Sequence, residues 1–104
     1  MSDTLLARLR ADFAAKRQKV TILGIDVFVS PLSIAENSKV MAMYPDNSAM
    51  RQAAFIVMKC TDEAGNPVFA DDDRETVAQG VAGSHFDKAF KIMNGETVEA
   101  QAEK

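Results

Sequence analysis

The sequence predicts a mainly helical α+β fold in which one β-hairpin packs against four to five helices. Three observations lead there. Apolar residues recur at three- and four-residue spacing over most of the chain, which is the helical period. Between Phe13 and Ile34 that period gives way to a β-branched and aromatic run at residues 19–30, KVTILGIDVFVS. Clusters of turn-forming residues separate the periodic segments. A chain of 104 residues, 47% of them hydrophobic, has material for one core, and a chain of this length buries a little under ~70% of its unfolded surface. Residues 1–95 are read as a single domain and residues 96–104 as a flexible acidic tail.

The elements follow in order. Ser2 or Asp3 is placed to cap a first helix in which Leu5, Leu6, Leu9 and Phe13 form one apolar stripe, ending near Lys16 to Gln18. That stripe needs a surface to pack on. The hairpin over residues 19–30 turns at Leu23-Gly24, where glycine supplies a positive φ, and it packs on the helices through Val20, Ile22, Val27 and Val29. Pro31-Leu32-Ser33 ends it. Ser33 and Glu36 have the S-x-x-E spacing of a capping box, so a second helix starts there and carries Ile34, Val40, Met41 and Tyr44 up to Pro45. Asp46-Asn47-Ser48 offers the next cap. The third helix sets Met50, Ala53, Ala54, Val57 and Cys60 on one side with Phe55, Ile56 and Met58 beside them, an apolar face broad enough for the centre of the core. Residues 61–67, TDEAGNP, form a surface loop, and Val68-Phe69 is a docking anchor. A short fourth helix begins at Asp71-Asp72-Asp73 with Val77 inward. Ser84 caps a fifth that carries Phe86, Ala89, Phe90 and Met93 and stops at Asn94-Gly95.

Several functional classes find no support. The only cysteine, Cys60, has no partner for a disulfide or a zinc cluster, the first ten residues lack a signal-peptide core, and no run approaches the ~20 apolar residues of a membrane span. A reducing, cytoplasmic setting with no membrane is expected. Asp71-Asp72-Asp73 fits a helix start better than a metal site. A calcium loop counted from Asp62 places Pro67 where the turn needs glycine. Cys60 and the lone His85 lack a third orienting group, and no phosphate-loop, dinucleotide-loop or H-E-x-x-H motif occurs. The expectation is no enzyme, no cofactor and no metal.

Charge is uneven along the chain, whose formal total is −3. Residues 1–20 set Arg8, Arg10, Lys16, Arg17 and Lys19 against Asp3 and Asp12, a net +3, while residues 61–104 carry a net −6. The overall acidity and the lack of interleaved aromatics argue against nucleic acid. Opposite-signed ends and open hairpin edges allow weak homo-oligomers. For partner binding, Met41, Met43, Met50 and Met58 beside Tyr44 are the first candidates, because flexible thioethers repack against varied apolar surfaces. The stripe Leu5, Leu9 and Phe13 is the second. On the residues alone a small bacterial regulatory or antitoxin-like binding module, or a subunit of an enzyme complex, remains open.

Read in order, the chain resembles the tail assembly chaperones of long-tailed bacteriophages and prophages. The likeness is carried by the hairpin Val20 to Val29, the helix start Pro31-Leu32-Ser33-Ile34-Ala35-Glu36, the loop Asp62-Glu63-Ala64-Gly65-Asn66-Pro67-Val68-Phe69 and the close Phe90-Lys91-Ile92-Met93-Asn94-Gly95. The resemblance implies a non-catalytic protein of the bacterial host cytoplasm, absent from the mature virion. Such a protein binds the tape measure protein and promotes polymerisation of the tail tube protein around it, the latter through a longer, frameshifted product. It implies no catalytic residue.

Overall fold

The structure is a computed structural model and describes residues 4–98. Among them the chain forms five α-helices and one three-stranded antiparallel sheet of order β1-β2-β3. Helix α1 spans Leu5–Ala15, followed by strands β1 (Gln18–Ile22) and β2 (Ile25–Val29), helices α2 (Ile34–Met43) and α3 (Ser48–Lys59), the two-residue strand β3 (Cys60–Thr61), and helices α4 (Arg74–Gly80) and α5 (Asp87–Met93). The mainly helical α+β class is as the periodicity predicts.

The hairpin pairs Val20 with Val27 and Gln18 with Val29, so one face carries Val20, Val27 and Val29, all buried, with Ile22 packed against the same core. The opposite face is polar apart from Phe28. Thr21 Oγ1 donates to Asp26 Oδ1 at 2.9 Å, and the Arg17 guanidinium lies 4.8 Å from the centre of the Phe28 ring. Leu23 and Gly24 both have positive φ, 50° and 81°, which gives the turn the twist of its strands. Glycine accepts this at no cost, but a leucine there meets its own carbonyl. Leu23 gains nothing in return, being 81% exposed. Replacing it with asparagine is expected to raise stability by up to about 1 kcal/mol, read as a higher urea midpoint. An unchanged midpoint would mean that the turn stores no strain.

The capping box forms as the spacing predicts. Glu36 N–H donates to Ser33 Oγ at 3.1 Å and Ser33 N–H donates to Glu36 Oε1 at 2.9 Å. The same carboxylate receives Lys59 Nζ at 2.8 and 3.0 Å, so the start of α2 is tied to the end of α3. Asn47 caps α3 through Met50 N–H, and α3 buries Ala53, Ala54, Ile56 and Val57. Around it pack Val77 from α4, Phe86, and Ala89, Ile92 and Met93 from α5. At the end of α5, Gly95 N–H donates to Ile92 O and Glu96 N–H to Lys91 O, with Gly95 at φ 88°. This is the Schellman arrangement, and it needs glycine at that position.

The structure departs from the sequence reading at Cys60, at Ser84 and at the cap of the first helix. Cys60 leaves the helix: its N–H still closes the last α3 bond to Ile56 O, but its backbone is extended, and Val29 pairs with it in a third strand. The apolar spacing continues through Cys60 whichever conformation it takes, because the same core lies beneath both. Ser84 makes no cap, because a 3₁₀ turn over Gly83–Phe86 already bonds His85 N–H to Ala82 O and Asp87 N–H to Ser84 O. Thr4 caps α1 by accepting from Ala7 N–H, while the expected caps Ser2 and Asp3 lie outside the described residues. The chain after α5 is held on β1: Gln18 Nε2 donates to Glu96 O, Gln18 Oε1 accepts from Val98 N–H, and Val98 packs on the core. Residues 99–104, the remainder of the expected acidic tail, lie outside the described residues.

Candidate functional site

No group of three or more His, Cys, Asp or Glu side chains among the described residues is placed to hold a metal ion. The acidic side chains are used locally instead. Asp73 Oδ2 accepts Ala70 N–H at 2.9 Å, and Asp62 Oδ1 accepts Asn66 N–H at 2.9 Å, a bond that holds the Asp62 carboxyl below its usual value. Burial pushes the Cys60 thiol up to about 12, while His85 is exposed beside Val20, Leu23, Asp87 and Lys88. A protonated, enclosed sulfur is a core atom and a poor nucleophile. Among the described residues no helix is long and apolar enough to cross a membrane.

Exposed apolar side chains are the surface feature that requires a function. They gather first on α1. Thr4 starts this helix and Lys16 closes it through a bond to Phe13 O, yet none of its residues is buried. Leu5, Leu6, Leu9 and Phe13 therefore remain in water, Leu9 at 55% and Phe13 at 41% exposure. The stripe read from the sequence as needing a packing surface has none in the free chain. Ile34, read from the sequence with Val40, Met41 and Tyr44 as an apolar residue of α2, is 92% exposed. It is the first residue of α2, where the capping box turns Ser33 and Glu36 toward the body and leaves its own side chain outward. Together Leu6, Leu9 and Phe13 from α1 and Leu32 and Ile34 at the entrance to α2 line an open groove of about 790 Å³, with Arg10 and Lys16 on its rim. Leu5 stands further along α1, outside the groove lining.

A second groove of about 460 Å³ opens between α2, α3 and the chain entering α4. Met43, Met58 and Phe69 supply its apolar part, and Lys39, Asp71 and Arg74 its polar part. The methionine candidates divide here. Met43 and Met58 share this groove, whereas Met41 and Met50 do not line it; Met41 is exposed on α2 and Met50 half-buried on α3. Tyr44 is engaged structurally, its carbonyl accepting from Arg51 Nη1 at 3.0 Å and its hydroxyl from Arg74 Nη1 at 3.4 Å. Helical spacing alone does not bring residues of α2 and α3 to one surface. The angle set by the Pro45-to-Asn47 corner decides which of them meet.

The loop after β3 is fixed from the first helix's side of the molecule. Arg17 Nη2 donates to Asp62 O at 2.9 Å and to Glu63 O at 3.2 Å while its guanidinium covers Phe28, so the residue that follows α1 is anchored although α1 itself is not. Sequence reading counted Arg17 only in the positive charge of the opening segment and missed this long-range role.

No family model matches the chain, and no curated protein matches it. Among solved structures the fold is similar to that of the bacteriophage HK97 tail assembly chaperone, with a TM-score of 0.59 and 16% identity, covering 89% of this chain and 97% of that chain. At this identity the likeness is one of fold.

Proposed function

We propose that this chain is a non-enzymatic tail assembly chaperone of a long-tailed bacteriophage or prophage. It acts in the host cytoplasm on a tape measure protein, without cofactor, metal or nucleic acid. The observation that carries the reading is the fold likeness, which runs nearly end to end through both chains. The surface is suited to the task. A long helical protein exposes apolar stripes before its tube encloses it, and an apolar groove between helices is a recognised way to cover such a stripe. In this reading the groove of Met43 and Met58 takes the tape measure segment, with methionine flexibility accommodating successive turns of differing sequence. The tail tube protein is recruited through a longer, frameshifted product. Weak self-association uses the outer edge of β1, a short strand at the border of the sheet.

Co-expression tests the reading. The tape measure protein is expected to stay soluble and to co-purify with the wild-type chain, and to lose most of that co-purification with Met43→Gln/Met58→Gln, since removing a pair of apolar anchors costs binding on the order of 2 kcal/mol or more. A tape measure protein equally soluble with and without this chain would remove the chaperone assignment. Normal co-purification by the double variant would remove only the site.

A further inference from the structure

The groove between α1 and the start of α2 is separate from the methionine groove, and no residue lines both. Its apolar part follows a helix for two turns, from Leu6 through Leu9 to Phe13, and continues onto Ile34. A surface of that shape is complementary to the apolar stripe of another helix. The charge lining it is net positive, with Arg10 and Lys16 against Asp12. Asp12 and Lys16 are paired with each other at 3.3 Å, which leaves Arg10 as the uncompensated charge of the lining. Arg17 and Lys19, just beyond, are engaged elsewhere, Arg17 with the carbonyls of Asp62 and Glu63 and Lys19 with Asp26 at 4.0 Å, so a partner's carboxylates would meet Arg10.

We infer that this surface docks an acidic amphipathic helix of another protein, with the apolar stripe of that helix on Leu6, Leu9, Phe13 and Ile34 and its carboxylates beside Arg10. A second copy of this chain does not meet that description. Two α1 segments laid face to face oppose like charges. The acidic run at Asp71 to Asp73 leads into a helix of seven residues whose one large apolar side chain, Val77, is buried, and α5 turns Ala89, Ile92 and Met93 inward. Among the described residues no helix combines an exposed apolar stripe with net negative charge. The inference stands apart from the tape measure reading, since it concerns a different groove and a stated chemistry of partner.

The test uses two capped synthetic peptides of about 18 residues, a length at which a helix forms readily on docking. Both carry leucines at three- and four-residue spacing; one carries glutamates beside them and the other lysines at the same positions. Fluorescence anisotropy with the full chain at low salt is expected to show the glutamate peptide bound at least about tenfold more tightly than the lysine peptide, a preference that shrinks as salt is added. Leu9→Asn/Phe13→Asn is expected to weaken glutamate-peptide binding about tenfold or more without lowering the melting temperature, because α1 buries no side chain. Arg10→Glu should narrow the preference between the peptides. Equal affinity for both peptides, no binding of either, or full binding by the double variant would each overturn the inference. So would sedimentation showing wild-type dimers that the double variant dissolves, which would assign the groove to a second copy.

Discussion

Replacing Ile92 with alanine is expected to lower the unfolding free energy by about 2–5 kcal/mol, a large part of the roughly 5–15 kcal/mol that a domain of this size possesses. Ile92 is fully buried and, among the described residues, is the largest of the completely enclosed side chains. It sits on α5 in the same cluster as Val20, Val27 and Val29 of the sheet and Ile56, Val57 and Cys60 at the α3–β3 junction, where helices and sheet meet. The three carbons removed leave a space bounded by elements that cannot all move in, since the hairpin is fixed by its register and Arg17 fixes the loop behind β3. Cys60 provides a second readout. Its thiol is enclosed and pushed up to about 12, so a thiol reagent reacts with it only when the core opens. The labelling rate of Ile92→Ala should therefore exceed that of wild type by ~30-fold or more, the factor that corresponds to about 2 kcal/mol. Leu9→Asn/Phe13→Asn, which removes more apolar surface from the sequence, should change neither the urea midpoint nor the labelling rate. An α1 variant that destabilised the chain as much as Ile92→Ala would mean that α1 belongs to the core in solution.

That contrast marks where the sequence is informative and where it is not. Elements whose cause lies within a few residues are legible: Ser33 and Glu36 make their box, Leu23-Gly24 makes its turn, and Gly95 closes α5. The inward face of the hairpin is legible too, because period-two alternation leaves Val20, Val27 and Val29 one side to occupy. Features set by distant partners are not. Cys60 satisfies the helical spacing of α3 equally well as the first residue of β3, and only the presence of Val29 beside it selects the strand. Gln18 reads as the end of the first helix, yet it opens β1 and holds the backbone at Glu96 and Val98, some 80 residues along the chain. The candidate site divides along the same line. An amphipathic stripe announces Leu5, Leu9 and Phe13 but does not reveal whether a core covers it, and the four methionines read as one set because spacing within helices says nothing about the angle between them.

Lys59 is the residue whose loss should reveal how α2 and α3 are joined, and Lys59→Met is expected to cost about 1–3 kcal/mol at neutral pH. Its side chain is only 8% exposed and its ammonium rests on both oxygens of Glu36, which is itself 33% exposed. Methionine retains the apolar stem and removes the charge, so the carboxylate keeps Ser33 N–H and loses its cation. Partial access of water to Glu36 keeps the cost below that of a fully enclosed pair. The pH dependence separates charge from packing. Burial alone would raise the Glu36 carboxyl, but the bonds from Lys59 and Ser33 together outweigh it and hold the group below its ordinary value of 4.5. A carboxyl lowered on folding contributes stability that is complete above its unfolded value and is lost as pH falls through the folded one. Wild type should thus lose this contribution in acid below 4.5, while Lys59→Met has less to lose, and the two urea midpoints should converge as the pH is lowered. In a double-mutant cycle with Glu36→Gln the second substitution should cost less in the Lys59→Met background than alone. If the gap between wild type and Lys59→Met is the same at acid and neutral pH, the cost of the substitution lies in the packing of the new side chain, and the ion pair contributes nothing to the junction.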